Sequence, residues 1–233
     1  MSKVVSIILC TYNEVHHIEN SLDLIDKNLK NVDTIIVDDN STDGTIEKLN
    51  KLKSKYSFTL YIRKKERGLA TAQKFGFNKA KGDYVGTVDV NSKDQLLYFN
   101  KLIDRLDNGY DIAVLSRYIN GGGDERVFIR SFASLAINKV AKFFIRIPFN
   151  DFTSGIFLMK KELLRETDDI LSGYAEWFIE FIYILNKKNY KICELSYVQK
   201  KDDSLIKSKS YPNLFKFLYL GSKYFLRILL IFF

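Results

Sequence analysis

Short apolar runs alternate with amphipathic segments through the first half of the chain. The apolar runs predict strands near residues 4–10, 34–38, 58–63, 84–88 and 111–115. The segments between them predict helices near residues 14–29, 42–55, 68–80 and 94–107. Strands that alternate with helices are typical of a parallel sheet with helices on both faces. The pattern therefore predicts an α/β fold with a mostly parallel, doubly wound sheet.

Polar residues follow the first two predicted strands. The first strand runs into residues 11–14 (Thr-Tyr-Asn-Glu), and the second into residues 38–45, which carry three aspartates and a turn glycine. Ligands of open α/β sheets bind at the carboxyl ends of the strands, so a nucleotide-sized polar pocket is expected here. Ser41 or Thr42 is expected to cap the next helix. Taken alone, the second segment also fits a solvated acidic loop.

The strand near residues 84–88 leads into Asp89 and Asn91. Side chains alternate along an extended chain, so these two lie on the same side. Their oxygens suit Mg²⁺ or Mn²⁺ held against a diphosphate, although Asn91 supplies one negative charge fewer than an aspartate and the metal should bind more weakly. The alternative is a polar turn capped by Asp94, and Asp94 and Gln95 are reserve ligands.

Two later segments combine cations with apolar residues. A helix is predicted from about residue 128 to 147, with Lys139, Lys142 and Arg146 at helical spacing; it fits a membrane interface or ordinary packing on the core. In the last segment, residues 214–233, Lys216, Lys223 and Arg227 share one face. Its uninterrupted apolar run, residues 228–233, is too short to cross a bilayer, so an anchor lying in the membrane plane is predicted. We expect one domain over residues 1–210 and an anchoring segment over residues 211–233.

Composition indicates the charge of a binding partner and the cellular compartment. The chain has 233 residues and a formal net charge of +8, and residues 187–233 hold ten lysines or arginines against three acids. Such a tail indicates an anionic partner: a membrane, a nucleic acid or a phosphorylated substrate. Cys10 and Cys193 lie in apolar runs and are expected to be buried free thiols. Met1 to Lys3 run straight into a strand without a secretory leader, which favours a cytosolic setting.

Several motifs, taken in order, resemble one enzyme family. They are residues 11–14 (TYNE), 37–45 (VDDNSTDGT), 67–70 (RGLA), 80–84 (AKGDY), 116–118 (SRY) and 151–155 (DFTSG). The set resembles the inverting family-2 glycosyltransferases of GT-A fold, and its order and spacing are similar to those of dolichol-phosphate mannose synthases and related polyprenyl-phosphate sugar transferases. The resemblance covers nearly the whole chain.

The resemblance implies roles for individual residues. Those expected to bind the nucleotide sugar are Thr11, Tyr12, Glu14, Asp38, Asp39, Ser41, Asp43, Arg67, Gly68 and Lys93. Those expected at the reacting centre are Asp89, Arg117 and Arg130, and the metal, Mg²⁺ or Mn²⁺, is expected on Asp89 and Asn91. Those expected on the acceptor and phosphate side are Ser154, Glu180, Lys201, Lys207 and Lys209.

The resemblance also implies a reaction. A hexose, mannose or glucose, would pass from a GDP- or UDP-sugar to a polyprenyl (dolichyl) phosphate with inversion, at the cytoplasmic face of a membrane and with a peripheral or monotopic protein. An ionised phosphate oxygen needs no strong base, and the region where related enzymes carry a Glu-Asp base motif here reads Ala175-Glu176-Trp177.

Three alternatives remain open at this point. One is transfer to a glycan hydroxyl with Glu176 or Glu180 as base, and another is a non-catalytic nucleotide-sugar binder at the membrane. The third is a nucleic-acid-binding protein. We do not expect a nucleic-acid partner, because the aromatic residues of the tail are embedded in an aliphatic helix and do not form a stacking platform.

Overall fold

The sheet predicted from the apolar runs is present in the structure, a computed structural model that describes residues 3–91, 94–201 and 214–232. Within these residues, seven strands form one sheet in the order β3-β2-β1-β4-β7-β5-β8. The strands are β1 (Val5–Thr11), β2 (Val32–Asp38), β3 (Thr59–Ile62), β4 (Tyr84–Thr87), β5 (Ile112–Ser116), β7 (Phe157–Lys160) and β8 (Ile192–Ser196). A separate two-stranded ribbon pairs β6 (Gly123–Asp124) with β9 (Val198–Gln199).

Most strand pairs are parallel, so the predicted sheet type is confirmed. β1 pairs in parallel with β2 on one side and with β4 on the other. Their carboxyl ends therefore lie at one edge of the sheet, where Asp38 ends β2 and Asp89 follows β4. Ligand sites of α/β proteins form at such an edge.

Strand β7 was missed in the sequence analysis. It runs antiparallel between β4 and β5, in a position that a purely parallel sheet would not contain. Gly86 permits this close pairing, because a Cβ at that position would lie 2.4 Å from the carbonyl oxygen of Phe157. The run Phe157-Leu158-Met159 is too short to distinguish from a buried helical segment by its pattern.

Helices cover both faces of the sheet. They are α1 (Ile18–Asn28), α2 (Thr45–Leu52), α3 (Leu69–Phe77), α4 (Phe99–Asp107), α5 (Phe128–Ile145), α6 (Trp177–Lys187) and α7 (Leu214–Phe232), with 3-10 turns at Gln95–Tyr98 and Lys161–Glu166. Alternate residues of β1 point into two different cores: Ile7 and Leu9 pack with α1, α2 and α4, whereas Ile8 packs with α3, α5 and α6. The period of two along β1 thus fixes which helices lie on which face.

Helix α7 belongs to the second of these cores. Tyr224 and Ile228 are buried in the same cluster as Phe157 and Trp177. The structure therefore adds that α7 shares the hydrophobic core of the domain, while the proposed boundary at residue 210 stays a prediction. Among the described helices, none combines the length and the apolar character that crossing a bilayer requires.

Candidate functional site

Asp38 joins the ends of β1 and β2. Its carboxylate is fully buried and accepts hydrogen bonds from Thr11 Oγ1 at 2.7 Å, Ser41 Oγ at 2.6 Å and Ser41 N at 2.8 Å. Ser41 Oγ in turn accepts the backbone N–H of Asn13 at 2.8 Å. The structure thus brings together Thr11, Asp38 and Ser41, and their side chains bond to one another. Their direct contact with a nucleotide stays a prediction. The geometry shows that they link the ends of β1 and β2, and we call these three residues the floor of the site.

Asp43 and Glu14 lie in the turn beside this floor. Asp43 Oδ1 accepts the backbone N–H of Thr45 at 3.1 Å, and Thr45 Oγ1 accepts the backbone N–H of Glu14 at 2.9 Å. Helix α2 begins only at Thr45, so the expectation that Ser41 or Thr42 caps it was wrong. The reason is that Ser41 is bonded to Asp38, which leaves Asp43 to satisfy the first turn.

Asp39 forms a buried ion pair that the sequence analysis missed. Asp39 and Arg63 are each less than one tenth exposed, and Arg63 Nε donates to Asp39 Oδ1 at 2.7 Å. The second oxygen, Oδ2, accepts the backbone N–H of Gly68 at 2.8 Å. Arg63 also donates to the Gly68 carbonyl at 3.1 Å, so Asp39, Arg63 and Gly68 form one unit. The available signal was a cation placed directly after β3, the strand next to β2.

Tyr12 and Arg67 form an exposed rim above this unit. The Arg67 guanidinium lies 4.9 Å from the centre of the Tyr12 ring, and its Nη1 donates to the Tyr12 hydroxyl at 3.2 Å. A planar cation against an aromatic face forms a flat edge that can pack against a planar ligand group. Both residues were predicted to bind the nucleotide sugar, and the structure places them side by side.

Asp89 and Asn91 are exposed beyond the end of β4. Burial raises the pKa of the Cys10 thiol, and the negative charges of Asp39 and Asp89 raise it further, while Arg63 acts in the opposite direction. A carboxylate that influences Cys10 in this way lies near it. Charged side chains that follow β2 and β4 therefore act on the thiol at the end of β1. Cys10 and Cys193 are both free thiols, as predicted, but each is only partly buried.

The oxygens of Asp89 and Asn91 fit a divalent cation of the Mg²⁺ or Mn²⁺ type. Both side chains are exposed and can bind a cation through oxygen, the ligand atom that these ions prefer. Within the described residues, no group of three or more histidine, cysteine or acidic side chains is arranged to hold a metal. A cation here would therefore draw further ligands from the diphosphate of a bound nucleotide. Of the reserve ligands, Asp94 lines a hollow with Asn91, His16 and His17, whereas Gln95 is buried.

Arg117 lies at the centre of a second polar cluster. Its Nε and Nη2 donate to the two carboxylate oxygens of Asp151 at 2.8 and 2.7 Å, Nη2 also reaches Thr153 Oγ1 at 2.7 Å, and Nη1 reaches Gln199 Oε1 at 3.1 Å. Burial alone would lower the pKa of Arg117, but the paired Asp151 raises it above its ordinary value, so the guanidinium stays charged. The geometry makes Arg117 a positioning residue for the loop after α5. Its predicted contact with phosphate stays a prediction, one that would require it to exchange protein acceptors for phosphate oxygens.

Glu194 supports the same loop from β8. Its carboxylate accepts the backbone N–H groups of Asn150 and Asp151 at 3.0 and 3.1 Å and the side-chain amide of Asn150 at 2.8 Å. Ser154, predicted on the acceptor side, donates its hydroxyl to the carbonyl of Leu115. These bonds tie the 151–154 loop to the strands on either side of it.

The remaining predicted residues lie in several places. Arg130 is half-buried in the first turn of α5, and Lys201 is exposed after β9. Glu180 lies on α6, where it pairs with Arg227 of α7 at 2.6 Å. Lys93, Lys207 and Lys209 lie outside the described residues, and the roles of all six residues stay predictions.

Residues 6–168 match the model of the family Glycosyl transferase family 2. The chain belongs to this family.

Relatives of this family-2 chain differ in how far they align. A dolichol-phosphate mannosyltransferase from Pyrococcus furiosus is 32% identical over 224 residues, which are 92% of this chain and 62% of the relative. The glycosyltransferase AglD from Haloferax volcanii is 24% identical over 82% of this chain and 32% of its own length. The chain thus spans less than two thirds of each of these curated relatives.

Solved structures show the same fold. Glucosyl-3-phosphoglycerate synthase from Mycobacterium tuberculosis, in complex with Mn²⁺, UDP and phosphoglyceric acid, superposes with a TM-score of 0.74 at 14% identity, over 98% of this chain and 78% of that chain. A mannosyltransferase from Pyrobaculum calidifontis, in complex with GDP-mannose and Mn²⁺, gives a TM-score of 0.59 at 19% identity, over 90% of this chain and 59% of that one. The predicted GT-A fold is therefore confirmed.

Replacing Arg63 tests the buried pair in this family-2 transferase. Arg63→Ala removes the partner of a buried carboxylate, which should lower the free energy of unfolding by about 3 kcal/mol. Urea denaturation measures the loss. Lys64→Ala, which removes an exposed neighbouring cation, should cost little. Equal losses in the two variants would contradict the importance of the pair.

Replacing Asn91 tests the metal site. Asn91→Asp adds a negative charge beside Asp89 and should tighten Mn²⁺ binding about tenfold in the presence of UDP or GDP. Electron paramagnetic resonance of free Mn²⁺ measures the affinity independently of turnover. Asn50→Asp adds the same charge on the exposed face of α2 and should leave the affinity unchanged. A similar gain in both variants would mean that overall charge, not coordination at residue 91, sets the affinity.

Proposed function

We propose that this protein transfers a hexose from a nucleotide sugar to a polyprenyl phosphate, with inversion at the anomeric carbon, on the cytoplasmic face of a membrane. It would bind the membrane through α5 and α7 without spanning it. The donor would be GDP-mannose, which supplies mannose, or UDP-glucose, which supplies glucose. The name of the Pyrococcus relative supports a lipid-phosphate acceptor.

An exposed apolar surface carries this proposal. Large apolar side chains on α5 and α7 stay open to solvent: Val127, just before α5, is 53% exposed, and Phe128 is 80% exposed. We call this set the apolar surface: Val127, Phe128, Ile129, Phe132, Leu135, Phe143, Phe215, Leu218, Tyr219, Phe225, Leu226, Leu230 and Phe232. Contiguous exposed apolar residues mark a binding surface for protein or membrane. An acceptor held in a membrane gives such a surface a role.

Cations border the apolar surface. Lys139 and Lys142 are exposed on α5, Arg146 is exposed just after it, and Arg130 is half-buried in its first turn. Apolar side chains next to lysine and arginine fit the two halves of an anionic lipid: acyl chains against the first, phosphate against the second. A polyprenyl phosphate has the same two-part chemistry. The first turn of α5 follows the Asp124-Arg126 segment that borders the Arg117 cluster, so this surface adjoins the loop predicted to take the acceptor.

Donor binding is assigned to the edge formed by β1, β2 and β4. Tyr12 and Arg67 would flank the nucleoside. The unit of Asp39, Arg63 and Gly68 would fix the backbone beside which the nucleoside packs. Asp89 and Asn91 would hold the divalent cation, which supplies positive charge against the diphosphate leaving group when it is bound. The chain's own contribution is to fix the donor in line with the acceptor, which matters because two anionic reactants repel each other.

Both base candidates for a hydroxyl acceptor, Glu176 and Glu180, are bonded to protein groups. A phosphate monoester is ionised near neutral pH and can attack without giving up a proton. Glu176 is 5% exposed, and its carboxylate accepts the backbone N–H of Tyr174 at 2.9 Å, while Glu180 pairs with Arg227 at 2.6 Å. A carboxylate that is occupied and buried in this way supports the phosphate acceptor over the glycan hydroxyl.

A transfer assay tests the function. The protein, in vesicles containing polyprenyl phosphate, is incubated with radiolabelled UDP- and GDP-hexoses and Mg²⁺ or Mn²⁺, and label extracted into organic solvent is counted. We expect lipid-linked label from one donor and at least a hundredfold loss in Asp89→Ala, on the scale of removing a charge-stabilising group. Asp26→Ala, an exposed carboxylate on α1, serves as the control and should keep full activity.

Other outcomes of the assay would reject the proposal. Label that stays in the water phase with a soluble phosphate or glycan acceptor would replace the lipid acceptor. Measurable nucleotide-sugar binding without transfer to any acceptor would indicate a non-catalytic binder.

Vesicle binding tests the apolar surface separately. Phe128→Ser combined with Phe132→Ser should weaken binding to vesicles of phosphatidylcholine and phosphatidylglycerol at least tenfold, because each buried phenylalanine contributes about 1.5–3 kcal/mol. Co-sedimentation measures the bound fraction. Leu97→Ser removes an apolar side chain that is 50% exposed but lies outside the surface, and it should have no effect. Equal binding by all three proteins would rule out α5 as the contact.

A further inference from the structure

Arg227 was predicted to share one face of the last helix with Lys216 and Lys223, and the structure adds that its side chain bonds to the domain. Its side chain is 16% exposed and turns toward the domain. Nη1 donates to Glu180 Oε2 on α6 at 2.6 Å. Nη2 lies 3.1 Å from Ser172 Oγ, 3.3 Å from the Ile170 carbonyl and 3.4 Å from the Ser172 carbonyl. One guanidinium therefore joins α7 to α6 and to the loop that precedes α6.

That loop, residues 170–176, is folded tightly around the Glu176 carboxylate. Gly173 has a φ of +80°, and a Cβ there would lie 2.0 Å from Glu176 Oε1. The other oxygen, Oε2, accepts the backbone N–H of Tyr174. Ser172, which Arg227 contacts, therefore lies next to the turn that closes on Glu176.

The residue after Glu176 connects the loop to the catalytic edge. Trp177 Nε1 donates to Gln73 Oε1 at 3.0 Å, and Gln73 Nε2 lies 3.4 Å from Thr87 Oγ1. Thr87 is the last residue of β4 and precedes Asp89 by two positions. Buried polar contacts therefore run from the start of α6 to the end of β4, two residues before Asp89.

We propose that Arg227 is a positioning residue through which α7 holds the 170–176 loop, and with it the acceptor side of the site, in its working conformation. This inference rests on the proposed function for its kinetic part. The face of α7 opposite Arg227 carries part of the apolar surface, so the helix that would contact the membrane is the helix that fixes the loop. Seating of α7 on a membrane would then favour the ordered loop.

Only an arginine can make this set of contacts. A guanidinium presents several N–H donors in a fixed plane and can bind a carboxylate and backbone carbonyls at once, whereas a lysine offers a single ammonium. The Ile170 and Ser172 carbonyls only accept hydrogen bonds, so a carboxylate at position 227 cannot replace these contacts. The ion pair with Glu180 and the contacts with the loop can therefore be separated by mutation.

Hydrogen exchange tests the contact with the loop directly. In Arg227→Gln, backbone amides 170–174 should exchange about tenfold faster or more, because hydrogen bonds from a charged donor to the loop are lost. Lys223→Gln removes a charge from α7 one turn earlier and is the matched control; it should leave this exchange unchanged. Equal exchange rates in the two variants would overturn the proposal, and this measurement does not depend on catalysis.

A charge swap separates loop positioning from helix attachment. Glu180→Arg combined with Arg227→Glu restores an ion pair between α6 and α7 but leaves the loop carbonyls without their donor. We expect the swap to recover the Tm lost in Arg227→Gln and to keep the fast exchange of the loop. If the swap also restores slow exchange, Arg227 serves only to attach the helix, and the proposal is wrong.

Kinetics provide the second readout. A displaced loop should raise the KM for polyprenyl phosphate severalfold in Arg227→Gln and leave the KM for the nucleotide sugar unchanged. Partial unfolding alone would lower kcat and leave both KM values unchanged, and that result would also overturn the proposal. If the wild-type protein transfers no sugar, the proposed function fails, while the exchange experiment still decides whether Arg227 orders the loop.

Discussion

Buried carboxylates require partners, and this requirement shapes the functional edge of the protein. Asp38, Asp39 and Asp151 are each less than one tenth exposed, and an unpaired charge in such a place would be costly. Each is satisfied in a different way: Asp38 by hydroxyls and a backbone amide, Asp39 by Arg63 and Gly68, and Asp151 by Arg117. The partners come from segments far apart in sequence. The edge is therefore complete only when several strands and loops have come together.

The same requirement separates residues that build the site from residues that face a ligand. Asp38 and Arg117 have their bonding groups occupied by protein atoms, whereas Tyr12, Asp89 and Asn91 are exposed at the rim. A motif match does not distinguish these two roles, because both kinds of residue are needed for the same ligand. Burial and hydrogen-bond partners do distinguish them.

Much of the fold followed from the sequence, because burial on a parallel sheet leaves a strong periodic signal. The strands around residues 4–10, 34–38 and 84–88 and the alternation with helices were predicted correctly, and so was the convergence of polar residues at their carboxyl ends. Strand β7 was not predicted, and its antiparallel position depends on Gly86 lying against Phe157, 71 residues later in the chain.

For the site, local motifs predicted which residues would gather but not how they would bond. No carboxylate partner was predicted for Arg63 or Arg227, and both proved to be largely buried partners of carboxylates. Their partners, Asp39 and Glu180, lie 24 and 47 positions away. Pairing over such separations is decided by tertiary packing, which no local pattern records.

The burial of Tyr224 and Ile228 in the central core has a consequence for how the protein is made. Helix α7 follows every other described element in the chain, so a ribosome produces it last among them. Until then, the faces of α5 and α6 that it covers lie open, and the growing chain presents an apolar cleft that attracts chaperones, membranes or other chains. Synthesis beside a membrane would shorten that exposure, because the outer face of α7 would contact the membrane while its inner face packs on α5 and α6.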